Sequence, residues 1–207
     1  VRDGNRQAVL CVLTIRDVTE RKQAEKRERE AALHDPLTQL PNRALVLEYG
    51  SHLLAAARRN HCNSSLLFVD LDHFKPINDQ YGHATGDHVL QVVANRLKEC
   101  TRQEDLVGRL GGDEFVILLP YLDAGRQWAA VVAQHVVDSI SRPIRVNNLE
   151  LTVAPSIGIS IFPDHGTDVA ALIHAADLAM YEAKQSGRAC FRVYSPGTGR
   201  SEEGRVG

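Results

Sequence analysis

Two short acidic clusters carry the chemistry open to this chain. Asp70-Leu71-Asp72 closes the most apolar run in the sequence, Leu66 to Val69, and Asp113-Glu114 follows the pair Gly111-Gly112 between the apolar runs Leu106 to Leu110 and Phe115 to Leu119. A buried strand that ends in acids and a hairpin that carries acids at its turn both present carboxylates from rigid backbone. The paired glycines suit a tight turn that needs positive φ. Mg²⁺ favours oxygen ligands and retains waters, so a few carboxylates plus substrate phosphates are enough to bind it. Asp70 and Glu114, converging from two strand ends, are the expected ligands. Mn²⁺ accepts the same hard donors. For phosphate, the turn after Asp70 offers the backbone N–H groups of His73 and Phe74 in the manner of an anion nest, with Lys75 beside them. Lys184 and Arg188, four residues apart near a helix end, share one face.

The elements that must position these groups follow from apolar spacing. Arg43 to Arg59 reads as a helix with Leu45, Tyr49, Leu53 and Ala56 inward, followed by the Leu66 to Asp70 strand. Val89, Leu90, Val93, Ala94 and Leu97 mark the next helix, and the carboxylate hairpin comes after it. A helix with Ala129, Val132, Val136 and Ile140 inward precedes strands near Leu149 to Val153 and Ser156 to Ile161, with Pro155 as the expected break. A last helix buries Val169, Leu172, Ile173, Ala176, Met180 and Ala183 and leads to a short strand at Cys190 to Tyr194. The order βαββαβ predicts an α+β, ferredoxin-like core with a central antiparallel sheet flanked by helices and additions at both ends. Trp128 reads as core. His83 and His88 are five residues apart, where a helical pair of metal ligands wants three or four, so they read as packing or capping groups. Residues 7 to 16 read as one strand with no sheet of its own, so the chain reads as an excised fragment whose upstream part is missing. Thr19 to Leu33 reads as a densely charged helix with apolar positions too sparse for a coiled-coil seam, and 196–207 is an expected disordered tail.

Composition narrows the partners. A chain of 207 residues can bury an ordinary core unaided, and a net charge of −2 with 24% charged residues argues against a general nucleic-acid surface. Cys11, Cys62, Cys100 and Cys190 form no C-x-x-C pair and read as free thiols of a reducing compartment, which predicts a cytoplasmic setting. No run approaches the length of a membrane span, so no membrane contact is expected of these residues.

The motifs RLGGDEF at 109–115 and DLDHFKPINDQYGHATGDHVL at 70–90, with HDPLTQLPNR at 34–43 and ADLAMYEAKQSGR at 176–188, together resemble the GGDEF-domain diguanylate cyclases in order and spacing. The resemblance implies a fold of the nucleotidyl cyclase and polymerase-palm type over 34–195. It also implies condensation of two GTP molecules into cyclic di-GMP with release of two pyrophosphates, completed between the protomers of a homodimer. It adds the Leu71 carbonyl to Asp70 and Glu114 as a ligand, for two metal ions per site, and makes Asp113 either a second-metal ligand or the group that helps deprotonate the attacking hydroxyl. Asn78 and Asp87 match the guanine readers, and the chemistry fits: a carboxylate accepts from guanine N1–H and the 2-amino group, donors that adenine lacks. Lys184 and Arg188 match the terminal-phosphate contacts. Arg102 and Asp105 form an R-x-x-D pair at the offset of the family's inhibitory product site. The sequence departs from the family's ending at Ala189, where asparagine commonly follows Gly-Arg. Asp17 to Lys22 after the first strand resembles the exit from a PAS sensor, which would make 1–16 its last strand and 17–33 a linker helix. The competing function is a module that senses GTP or cyclic di-GMP within a larger protein, with or without an EAL phosphodiesterase domain. The intact hairpin acids favour catalysis.

Overall fold

The computed structural model describes residues 32–122 and 125–197. The expected sensor remnant at 1–16, most of the linker helix and the tail from 198 onward lie outside the described residues.

Helix α1 (Arg43–Asn60) starts at Asn42, whose side chain accepts from the N–H groups of Ala44 and Leu45, and stops at His61 in the left-handed conformation. Strand β1 (Asn63–Asp72) follows, then the short helix α2 (Phe74–Tyr81) and the helix α3 (His83–Glu99). Gly82, at φ 83°, makes the corner between these two helices. Strands β2 (Leu106–Gly111) and β3 (Glu114–Leu122) form the hairpin, with Gly111 and Gly112 both at positive φ. Helix α4 (Gly125–Ile140), strands β4 (Ile144–Val146), β5 (Leu149–Leu151) and β6 (Ala154–Phe162), helix α5 (Val169–Gln185) and strand β7 (Phe191–Val193) complete the chain.

The main sheet runs β2-β3-β1-β6-β7, antiparallel except for the parallel β6–β7 pair, while β4 and β5 pair apart as a small hairpin. Its first four strands are the ferredoxin-like core, and β7 makes the sheet mixed. Strand β1 is central and buried on both faces, which explains its unbroken apolar run. On one face Leu67, Val69, Phe115, Ile117, Ile157 and Ile159 pack against α2, α3 and α4. On the other, Leu66, Phe68, Val116 and Leu118 pack against α1 and α5.

The structure corrects the sequence expectations in four places. The buried face of α1 is Val46, Gly50, Leu53, Leu54 and Ala57, with Tyr49 exposed, because α1 faces both the sheet and α5 and its seam is turned from the one inferred. Pro155 lies inside β6, opposite Leu71, and the break falls at Thr152 and Val153. Strand β7 pairs only with Ile157 to Ile159, so at Pro155 no strand flanks β6 on that side to miss the absent N–H. His83 and His88 neither pack nor cap; both are exposed, and α3 has no side-chain cap. Trp128 is only partly buried against the core, with the Arg102 guanidinium carbon 4.0 Å from its ring centroid.

Two contacts fix the end of the sheet that bears the acids. Arg109 donates to the Gly112 carbonyl from Nε at 3.0 Å and Nη2 at 2.7 Å, and its Nη1 reaches Asp35 at 2.9 Å. Asp35 also accepts from Thr38 N and Oγ1. Burial alone would raise the Asp35 carboxyl, but the bonds from Thr38 and then Arg109 reverse this and hold it below its ordinary value. The second contact is at Gly158, where α5 lies directly on β6: a Cβ there would fall 1.8 Å from the Ala176 carbonyl oxygen and 2.3 Å from Met180 N. Those are backbone atoms, which cannot step aside as a side chain can. Gly158→Ala should therefore lower the urea midpoint, with a loss of about 1–3 kcal/mol or more of unfolding free energy; an unchanged midpoint would contradict the close approach.

Candidate active site

The register of β1 against β3 sets Asp70 directly opposite Glu114. Facing residues of an antiparallel pair point to the same side with Cβ atoms about 5 Å apart, so the two carboxylates share the α1–α5 face. The last helix supplies the counter-charge: Lys184 Nζ is 2.7 Å from Asp70 Oδ1. A cleft of about 220 Å³ opens here, lined by Asp70, Leu71, Asp72, Asp113, Lys184 and Arg188 and by the run His73 to Pro76. His73, in the left-handed conformation, is the N-cap of α2, and Phe74 starts the helix with its ring buried. Their backbone N–H groups are thus part of a helix N-terminus, and the exposed Lys75 follows them.

Glu114 does not line the cleft but stands beside it, half-buried. Burial raises its carboxyl above the ordinary value, and the charges of Asp70, Asp113 and Asp177 add to the effect against the opposing Arg43. Asp70 is also raised, by burial first, with Lys184 opposing and Asp113 and Asp72 reinforcing. Among the described residues no three carboxylate, imidazole or thiol side chains already stand at metal-ligand spacing. The donors fit a hard divalent cation nonetheless: Asp70, Asp113 and Glu114 carry carboxylate oxygens that repel one another, and an added cation would relieve that repulsion.

Asn78, half-buried on α2, and Asp87, exposed near the start of α3, lie at the α2–α3 corner outside the cleft lining. Arg102 and Asp105 are also outside it, in the α3–β2 loop. Asp105 Oδ2 accepts from the Arg102 backbone N at 2.8 Å, which leaves the Arg102 guanidinium to stack on Trp128 and approach Glu104 at 4.0 Å. Burial first, then Glu104, raises the Asp105 carboxyl against the Arg102 N–H.

Two contributors were given no role from sequence. Asp72 is buried, accepts from Ser156 Oγ at 2.9 Å and from Ala189 N at 3.2 Å, and lies 3.7 Å from Arg188 Nε. It thereby holds the turn that carries Arg188. The signal was its spacing, since residues two apart on a strand share a face. Asp177 lies two turns before Lys184 on the same helical stripe and adds negative charge near Glu114. Arg188 and Ala189 both have positive φ, at 63° and 49°. That explains why asparagine suits the second position, being more tolerant of this region than alanine.

A ferredoxin-like sheet with acids at one strand end, a lysine from the facing helix, an arginine in the turn after it and a helix N-terminus alongside offers donors for anions next to donors for a hard cation. The family model described as "Diguanylate cyclase, GGDEF domain" matches residues 32–190. The diguanylate cyclase TpbB of Pseudomonas aeruginosa is 41% identical over 183 residues, 86% of this chain and 42% of that protein. The signaling protein YkoW of Bacillus subtilis is 37% identical over 194 residues, 94% of this chain and 24% of its own length. The chain thus spans less than half of these curated relatives. Among solved structures, the GGDEF domain of TpbB (also called YfiN) superposes with a TM-score of 0.76 at 42% identity, covering 78% of this chain and 94% of that one. The coiled coil and GGDEF domain of DgcB from Caulobacter crescentus, in complex with c-di-GMP, gives 0.78 at 25% identity, covering 85% and 93%. The chain belongs to the GGDEF family of diguanylate cyclase domains.

The raised Glu114 carboxyl has a measurable sign. A carboxyl raised in the folded state favours its protonated form there, so its stabilising contribution is present below the ordinary carboxylate range and is lost as pH rises through the folded value. In buffer free of divalent cations, Glu114→Gln should melt above wild type at pH 7, and the gap should close as pH falls toward 4. Mg²⁺ should raise the wild-type melting temperature more than that of the variant. A gap that widens on acidification would reverse the assignment.

Proposed function

We propose that this domain is a diguanylate cyclase that joins two GTP molecules into cyclic di-GMP. The observation that carries the reading is the pairing of Asp70 with Glu114 across β1 and β3, with Lys184 on Asp70 and Arg188 in the same cleft. In the reaction, each ribose 3′-oxygen bonds to the α-phosphorus of the other nucleotide as the α–β phosphoanhydride breaks. Two pyrophosphates leave, and each hydroxyl gives up its proton.

Within that chemistry the residues divide the work. The N–H groups of His73 and Phe74, with Lys75, hold phosphate oxygens at the α2 N-terminus. Lys184 and Arg188 grip the outer phosphates, so Lys184 exchanges Asp70 for phosphate when nucleotide enters. Asn78 and Asp87 read guanine by pairing donors that adenine lacks. Asp70, the Leu71 carbonyl, Asp113 and Glu114 would hold Mg²⁺ or Mn²⁺, two ions per site. When bound, the cation lowers the pKa of the attacking hydroxyl and neutralises charge on the triphosphate. Asp113 has two roles open to it, second ligand or proton acceptor.

Incubating the protein with GTP and Mg²⁺ and identifying the product by chromatography tests the reading. Cyclic di-GMP should form with wild type and not with a folded Glu114→Ala variant. GTP or cyclic di-GMP that binds without turnover would instead support a sensing module, which is the alternative within a longer protein.

One acid cluster with one guanine site can activate only one of the two hydroxyls, so turnover needs a second protomer facing the first. Initial rate per protomer should fall on dilution through the monomer–dimer transition followed by ultracentrifugation. A flat rate per protomer would refute the two-protomer site.

Arg102 and Asp105 are proposed to bind product, with the guanidinium stacked on Trp128 as the recognition element. Trp128 is the one tryptophan of the chain, so its fluorescence should change on addition of cyclic di-GMP. Arg102→Ala should abolish that change and relieve inhibition without lowering the initial rate. Equal product affinity in both proteins by calorimetry would count against the site.

A further inference from the structure

Gly86 stands in the first turns of α3, buried, in ordinary helical backbone. Glycine at such a position is unfavourable by about 1 kcal/mol relative to alanine unless something requires the missing side chain. What requires it is Asn78. A Cβ on Gly86 would fall 2.9 Å from Asn78 Cγ and closer still, 1.9 Å, to Oδ1, with Phe74 Cζ at 3.2 Å. The amide of Asn78 therefore points its Oδ1 end at a bare Cα, in space that only glycine leaves open. The corner brings the two residues to this approach: Gly82 at φ 83° turns α2 into α3, and Gly82 N donates to the Asn78 carbonyl at 2.9 Å.

We infer that Gly86 is the positioning residue for Asn78, setting where its amide stands and thereby the preference of the nucleotide site for guanine. The inference rests on the reading of Asn78 and Asp87 as guanine contacts. Its force comes from the kind of atom involved. At Gly158 the atoms in the way belong to backbone, and the fold must yield. At Gly86 the closest atom is the far end of a side chain that can rotate away, so the helix accepts alanine and the amide leaves its place. Stability and specificity should therefore separate at this position. A glycine needed only for packing would lose both together.

The experiment compares wild type, Gly86→Ala, Asn78→Ala and the double variant. Calorimetry with non-hydrolysable GTP and ATP analogues and Mg²⁺ gives binding, and thermal denaturation gives stability. Gly86→Ala should melt at or above wild type. Its GTP-analogue affinity should fall by about tenfold, the scale of one lost hydrogen bond, with ATP-analogue affinity unchanged. In the Asn78→Ala background, adding Gly86→Ala should do nothing further to GTP binding, because the amide it displaces is gone. Asn78→Asp, which keeps a planar group of the same size, should stay sensitive to Gly86→Ala. Three outcomes overturn the inference: an unchanged GTP-over-ATP preference in Gly86→Ala, a lowered melting temperature, or full additivity in the double variant. If Asn78→Ala itself leaves the preference intact, the guanine reading fails, and the inference with it. A loss in Asn78→Ala without one in Gly86→Ala removes only the positioning role.

Discussion

Mutual repulsion among carboxylates held at one edge of a rigid sheet is the constraint on which the rest of this structure depends. Asp70 faces Glu114 because β1 and β3 pair in a register held without a shift along six residue pairs, Ser65 to Asp70, with apolar side chains on both faces. A slip of one residue would send either acid to the opposite face. The acids thus cannot relax apart, and the fold answers their charge from outside the strands. Lys184 comes from the last helix and Arg43 from the first, while Asp72 is stilled by Ser156 and the Ala189 N–H. A site arranged this way is under-neutralised, which is the condition for holding a cation together with its phosphates.

The hairpin turn is secured by a different device. Arg109 forks to the Gly112 carbonyl and to Asp35, so the turn with Asp113 is clamped to the segment that leads into α1. Because Asp35 is kept ionised by three donors, the clamp is a charge-assisted one with little solvent exposure. The turn itself needs two glycines at positive φ, and the arginine supplies the stiffness that glycines do not.

Much of this was legible in the sequence because the signals were local. Alternation and runs located β1, β3 and β6, and every residue that helical spacing placed inward on α3, α4 and α5 is buried, although Gly86, Ala133, Val137, Ala175 and Ala179 are buried beside them. The seam of α1 was not, since a helix wedged between a sheet and another helix presents an apolar surface wider than any single stripe. Pro155 misled because its cost depends on whether a neighbouring strand reaches that far, which is a property of the sheet. Asp72 went unassigned because its partners, Ser156 and Ala189, are distant in sequence. Gly86 was silent for the same reason: its meaning is the side chain that lies over it, eight residues earlier. The PAS-like and linker readings fall on residues the structure does not describe.

The close seat of α5 on Gly158 also bears on time. With the helix backbone resting on the sheet, the stem of Lys184 is carried by the same rigid body as Asp70, and only the four-carbon side chain separates the two charges. Trading one oxygen partner for another is then a rotamer event, in the picosecond-to-nanosecond range, with no helix displacement at the microsecond-to-millisecond pace of collective motions. The lysine end of the site is in this sense always assembled, and whatever is slow in its working cycle must lie elsewhere.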